Sequence, residues 1–121
     1  MAELDLLTKP KESWVPLTGL LEGIQIKVQY ASPAAGEEFQ KVLEKKGLGD
    51  LAKVPLKTFL TEYCTFYVKD WEGAKRGGEP APYSPEELAT LMVGLTSALN
   101  QVYKAVGDEM NFFGVNGKLP N

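Results

Sequence analysis

The chain has 121 residues, 44% of them hydrophobic, with 13 basic against 16 acidic side chains and a formal net charge of −3. That is the size of one domain with material for a core, and its charge balance disfavours an electrostatic grip on nucleic acid. With no histidine and one cysteine, the sequence excludes imidazole acid–base chemistry, Ser-His-Asp triads, His-ligated zinc, an internal disulfide and a CxxC metal site.

Residues 1–13 are polar, lack the apolar stretch of a signal peptide and are expected to be flexible. No apolar run approaches the roughly 18 residues of a membrane span, and a lone cysteine fits a reducing compartment. The expectation is a soluble intracellular protein.

In "SWVPLTGLLEGIQIKVQY", Ile24, Ile26, Val28 and Tyr30 alternate with Gln25, Lys27 and Gln29. That period of two marks a strand buried on one face. Trp14 to Leu17 are its expected partner, with Gly19 to Gly23 in the turn, giving a β-hairpin over residues 14–31. Pro16 has no amide donor and belongs on a sheet edge.

"SPAAGEEFQKVLEKKG" predicts a helix over 32–47. Ser32 is the N-cap and Pro33 the first helical residue; Phe39, Val42 and Leu43 share a face, and Gly47 stops it. A second helix is predicted over 55–72, because Leu56, Phe59, Leu60, Tyr63, Cys64, Tyr67, Val68 and Trp71 follow helical spacing. Phe66 falls off that face, and Gly73 ends the element. "GAKRGGEPAPY" is then an exposed loop.

The fourth segment predicts the longest helix, over 84–111. "SPEE" supplies a capping box from Ser84 and Glu87, with Pro85 at the first helical position. Leu88, Leu91, Met92, Leu95, Leu99, Val102, Tyr103, Val106 and Met110 recur every three or four residues, and Gly94 and Gly107 lie inside at roughly 1 kcal/mol each against alanine. Residues 114–121 are turn-rich and expected to be flexible. The fold class is α+β, mainly α: a small N-terminal hairpin and three amphipathic helices, the last one long, in a single domain over 14–113.

The stretch "YVKDWEG" (Tyr67 to Gly73) poses the functional question, because two acids flank an indole. On a helix Asp70 and Glu72 point about 200° apart and cannot act as an acid–base pair. Trp71 reads as a core anchor or an interface anchor. The acid pairs Glu37/Glu38, Glu86/Glu87 and Asp108/Glu109 lack calcium-loop spacing. "GAKRGG" lacks phosphate-loop spacing and follows no strand. Cys64, Met92 and Met110 read as core residues. No catalytic, metal or cofactor constellation emerges, so the chain is expected to be an interaction protein and not an enzyme. Its candidate protein-binding residues are Asp70, Trp71, Gly73, Leu95, Leu99, Phe112 and Phe113.

The order of motifs over about residues 20–113 resembles the tail assembly chaperones of long-tailed bacteriophages and prophages. The strand and first helix, "IQIKVQYASPAAGEEFQKVL", match that family's opening, although Ala34, Ala35 and Gly36 before "EEF" depart from it. Val68, Asp70, Trp71 and Gly73 match a V-x-D-W-x-G signature. Gly78, Pro80, Pro82, Tyr83, Ser84, Pro85 and Glu86 match the stretch that follows, and the last helix ends in "MNFF". The resemblance implies a mainly helical protein that binds the tape measure protein, keeps it soluble and promotes tail tube assembly around it. It also implies self-association into a spiral oligomer, and action in the host cell cytoplasm with absence from the mature virion. Contact with the tail tube protein would come through a frameshifted longer form. No nucleic acid or membrane partner is implied. The alternatives are a structural tail or head-tail protein retained in the virion, and a small host regulatory adaptor.

Overall fold

A computed structural model describes Leu4, Leu7 and residues 11–113. The predicted flexible segments therefore lie outside the described residues for 114–121 and for most of 1–13. Glu12 and Ser13, expected to be loose, belong to the first strand.

The described chain is α+β. It runs β1 (Glu12–Pro16), a 3-10 turn (Gly19–Leu21), β2 (Gln25–Gln29), α1 (Pro33–Lys45), a second 3-10 turn (Leu51–Lys53) and α2 (Leu56–Tyr67). There follow β3 (Val68–Glu72), β4 (Lys75–Arg76), β5 (Glu79–Pro80), α3 (Pro85–Gly94), α4 (Thr96–Gly107) and α5 (Met110–Phe113). The hairpin is thus part of a three-stranded antiparallel sheet in the order β1-β2-β3, with β4 and β5 as a separate ribbon.

The sheet follows the period-two pattern. Val28 stands opposite Ser13 and Val68, and Ile26 opposite Val15 and Trp71. Ile26, Val28, Val68 and Trp71 are buried, each aliphatic one contributing about 1.5–3 kcal/mol by leaving water. The other face carries Glu12, Trp14, Lys27, Gln25, Asp70 and Glu72, with Lys27 Nζ 3.6 Å from Glu12. Pro16 lies on an edge strand, as its missing donor requires.

The predicted helix over 55–72 is corrected at its end. It stops at Tyr67, and Val68 turns to φ −109°, ψ 120° as the chain enters β3. The register explains the misreading. Lys27 pairs with Asp70 but the next residue, Val28, pairs with Val68, so Lys69 is an extra residue in a β-bulge. The bulge lets Val68 and Trp71, three positions apart, both face the core. That spacing imitates a helical stripe.

The predicted helix over 84–111 is three helices. Leu95 is extended, at φ −131°, ψ 114°, and separates α3 from α4. Before it the buried positions are Leu88, Ala89 and Met92; after it they are Ala98, Val102, Ala105 and Val106. On one straight helix those two sets would point about 100° apart, so the chain resets its direction to bury both. Gly94 has open space around it rather than a close helix contact, and Gly107 closes α4. Met110, read as core, is half exposed.

The caps are largely as read. Ser32 Oγ accepts the Ala35 amide at 3.1 Å, and Gly47, at φ 76°, lets Leu48 N–H return to Leu43 O at 2.8 Å. The Phe39 ring of α1 meets Phe59, Tyr63, Phe66 and Tyr67 of α2 at centroid distances between 5.2 and 5.9 Å, so Phe66 does join the packing. Gln101 of α4 clamps the turn after β1: its Oε1 accepts Thr18 N–H at 2.8 Å and its Nε2 donates to Thr18 O at 3.1 Å. Ala31 N–H donates to Val106 O at 2.8 Å. These bonds fix the sheet against α4.

Candidate functional site

The "DWEG" stretch is a strand and the turn after it. Residues 24, 26, 28 and 30 of the central strand point their polar backbone groups toward β1, as the bonds from Leu17 N to Ile24 O and from Tyr30 N to Lys11 O show. By alternation, Gln25, Lys27 and Gln29 face β3. Glu72 and Asp70 are paired with Gln25 and Lys27, so the Trp71 amide points away from the sheet, along its free edge. Asp70 Oδ1 accepts that amide at 2.8 Å. The acid therefore covers an edge donor that would otherwise be open to another strand.

Trp71 is 6% exposed. Its Nε1 donates to Ala81 O at 2.8 Å, and its ring meets Tyr83 edge-on at 5.3 Å. The Tyr83 hydroxyl in turn donates to Cys64 O at 3.2 Å, and burial pushes that phenol well above its ordinary range. Trp71 and Tyr83 thus tie the β3 edge, the end of α2 and the segment before α3 into one unit. Gly73 follows at φ 88°, and a Cβ there would stand 1.9 Å from Gly23 O. Only glycine fits, because the turn after β3 rests directly on the backbone of the β1–β2 connection.

"GAKRGGEPAPY", read as an exposed loop, contains the β4–β5 ribbon. Gly77 and Gly78 both have positive φ, 59° and 83°, which defines a two-residue type I′ turn. The Gly-Gly pair between short polar runs was the available signal. Glu87 departs from the predicted reciprocal capping box. Ser84 Oγ accepts the Glu87 amide at 3.3 Å, but the Glu87 carboxylate turns to Arg76, whose Nη1 and Nη2 lie 3.2 and 2.6 Å from its two oxygens. The fork holds the ribbon to the first turn of α3. Arg76 holds the Glu87 carboxyl below its usual range, and Glu87 raises the guanidinium.

Beneath this ribbon is a cavity of about 340 Å³, lined by Leu21, Ile24, Trp71, Ala74, Ala81 and Leu91, with Lys75, Arg76, Glu87 and Thr90 also on its wall. The structure places Trp71 on the wall of this cavity, with Gly73 two residues on and Asp70 on the opposite face of the sheet. It does not bring the other candidates there. Leu95 and Leu99 are half-buried against the core. Phe112 is fully buried, 5.2 Å from the Tyr30 ring, and Phe113 meets Tyr30 edge-on at 5.6 Å with the Lys11 ammonium 6.0 Å away. Ile24, Leu91, Tyr83 and the Arg76–Glu87 fork are not among the candidate binding residues read from the sequence, because their roles here depend on contacts across the fold.

Cys64 is buried beside Met92, Sγ to Sδ 3.5 Å, and burial pushes its thiol up to about 12. Among the described residues no group of three or more His, Cys, Asp or Glu is placed to hold a metal ion, and no helix is long and apolar enough to cross a membrane. Comparison with protein-family models, curated proteins and solved structures found no match.

Proposed function

We propose that this chain is a tail assembly chaperone that binds the tape measure protein of a long-tailed phage or prophage, keeps it soluble and promotes tube assembly around it. One observation carries the reading. Trp71, at the centre of the stretch that gave the family resemblance, lines a partly open apolar cavity, and its ring packs edge-on against Tyr83 of the same resemblance. A tape measure is a long amphipathic helix that cannot bury its own apolar face, and an apolar recess between elements suits the helix-in-groove mode. On this reading the chain has no reaction to catalyse. It works in the host cytoplasm and leaves before the virion is complete; a longer frameshifted form would recruit tube subunits.

Self-association into an open series needs a head-to-tail contact. The sheet edges suit it poorly, since Asp70 covers the β3 edge donor and Pro16 removes one from β1. A helix or ribbon surface is the better source.

The test is co-expression with the longest helical protein encoded downstream in the same genome, followed by pull-down and light scattering. A soluble complex with several copies of this chain per client is expected. A lone compact monomer, with the client insoluble, would refute the reading.

A further inference from the structure

We propose that the cavity under the β4–β5 ribbon is an anchor site for a partner helix presenting a bulky apolar side chain with a carboxylate one turn away. The inference rests on the client-binding reading and gives it an address and a chemistry.

A cavity of about 340 Å³ walled by Ile24, Trp71 and Leu91 falls in the range of roughly 300–1,000 Å³ typical of ligand pockets. The Trp71 indole N–H is already bonded to Ala81 O and the Thr90 hydroxyl to Glu86 O. The walls therefore ask an occupant for apolar surface, not for hydrogen bonds.

Arg76 is matched by Glu87 in the fork. Lys75, on the same wall, has no acidic partner among the ion pairs of the described residues. The rim keeps one uncompensated positive charge, and its complement is a carboxylate beside the apolar anchor.

The backbone decides the form of the partner. An extended peptide needs a free strand edge. Here the outward amide of Trp71 is occupied by Asp70, and Pro16 has no amide to offer on the opposite edge. A helix needs no such donors, and it places an apolar side chain and an acid on one face at i and i+3 or i+4.

The test uses the Trp14→Phe protein, in which Trp71 is the one remaining indole. The probe is a synthetic amphipathic helical peptide with leucines on one face and glutamates one turn from them. Two further peptides carry lysine for glutamate or alanine for leucine. The expected result is a saturable change in Trp71 fluorescence, lost with the alanine peptide and roughly tenfold weaker with the lysine peptide. Lys75→Glu should reverse the charge preference, and Thr90→Phe, an exposed position at the cavity, should abolish the signal. No fluorescence change with any peptide, or binding indifferent to both Thr90→Phe and peptide charge, overturns the proposal. The same variant separates it from the chaperone reading. If Thr90→Phe still holds the client of the co-expression test, the anchor site is wrong and the chaperone stands. If the unaltered protein binds the peptide but no client, the site stands and the chaperone reading falls.

Discussion

Gly73→Ala is expected to be the most damaging single-methyl change at any of the positive-φ glycines. At φ 88° an L-residue is disfavoured, by about 1–2 kcal/mol. The added Cβ also meets Gly23 O at 1.9 Å, with Gly23 C at 3.0 Å and Ile24 Cα at 3.4 Å. All are backbone atoms, so no side chain can swing away, and the turn after β3 must separate from the β1–β2 connection by about 1 Å or more. Forced overpacking adds roughly 1–3 kcal/mol, for a total of about 2–5 kcal/mol and a fall in Tm of the order of 10 °C or more. Gly47→Ala is the matched control: its φ is 76° but nothing lies within 4 Å, so the conformational cost of about 1–2 kcal/mol acts alone. Urea unfolding of both variants, compared at equal m-value, isolates the contact. Equal losses in the two would refute the argument that the Gly73 turn is pressed onto Gly23.

Asp70→Ala uncovers the Trp71 edge amide and is expected to cost about 1 kcal/mol and to raise aggregation measured by light scattering at high concentration. Asp70→Asn keeps an accepting oxygen and should behave as the parent; identical behaviour of the alanine variant would sink the edge-cover role. The Arg76–Glu87 fork should open in acid: because the folded-state pKa of Glu87 is lowered, the fork is complete above the ordinary glutamate value of 4.5 and is lost as pH falls through the lowered one. Amide chemical shifts of Gly77 and Gly78 followed from pH 7 to strong acid should report that loss, and Glu87→Gln should flatten the response. Cys64, buried with its thiol pushed up to about 12, should resist thiol reagents at pH 8 in the native protein and react on unfolding; fast native labelling would contradict its placement in the core.

The local signals were legible and the non-local ones were not. Ser32, Pro33, Gly47, Ser84 and Pro85 announce helix ends through chemistry contained within a turn, and the structure places the ends within two residues of the expected positions at each. The alternation of Ile24 to Tyr30 likewise belongs to one strand. Val68 and Trp71 misled because the bulge at Lys69 belongs to the pairing with β2, and partners 40 and 45 positions away, Val28 and Ile26, leave no mark in local spacing. Leu95 misled because its side chain continues the apolar period across the point where the backbone changes course. At the candidate site, Trp71 and Gly73 stood out from the "DWEG" stretch. The reason for Gly73 is an oxygen on Gly23, and the cavity wall draws on Leu21, Ile24 and Leu91, which only the closed fold assembles.

The sheet also sets a timetable. Its centre, β2, pairs with β1 across a short connection, but the pairing with β3 joins residues such as Gln25 and Glu72, 47 positions apart. During synthesis at about 5–20 residues per second, the second edge of β2 waits several seconds for its partner to be made. Contacts of this sequence separation are also the slow ones to close from an unfolded chain. Gly73, at the end of β3, closes the strand pairing and Gln101 of α4 clamps the sheet later still, so a nascent chain stalled before β3 exposes a two-stranded ribbon with an open edge. The segment made first is the one that finishes last.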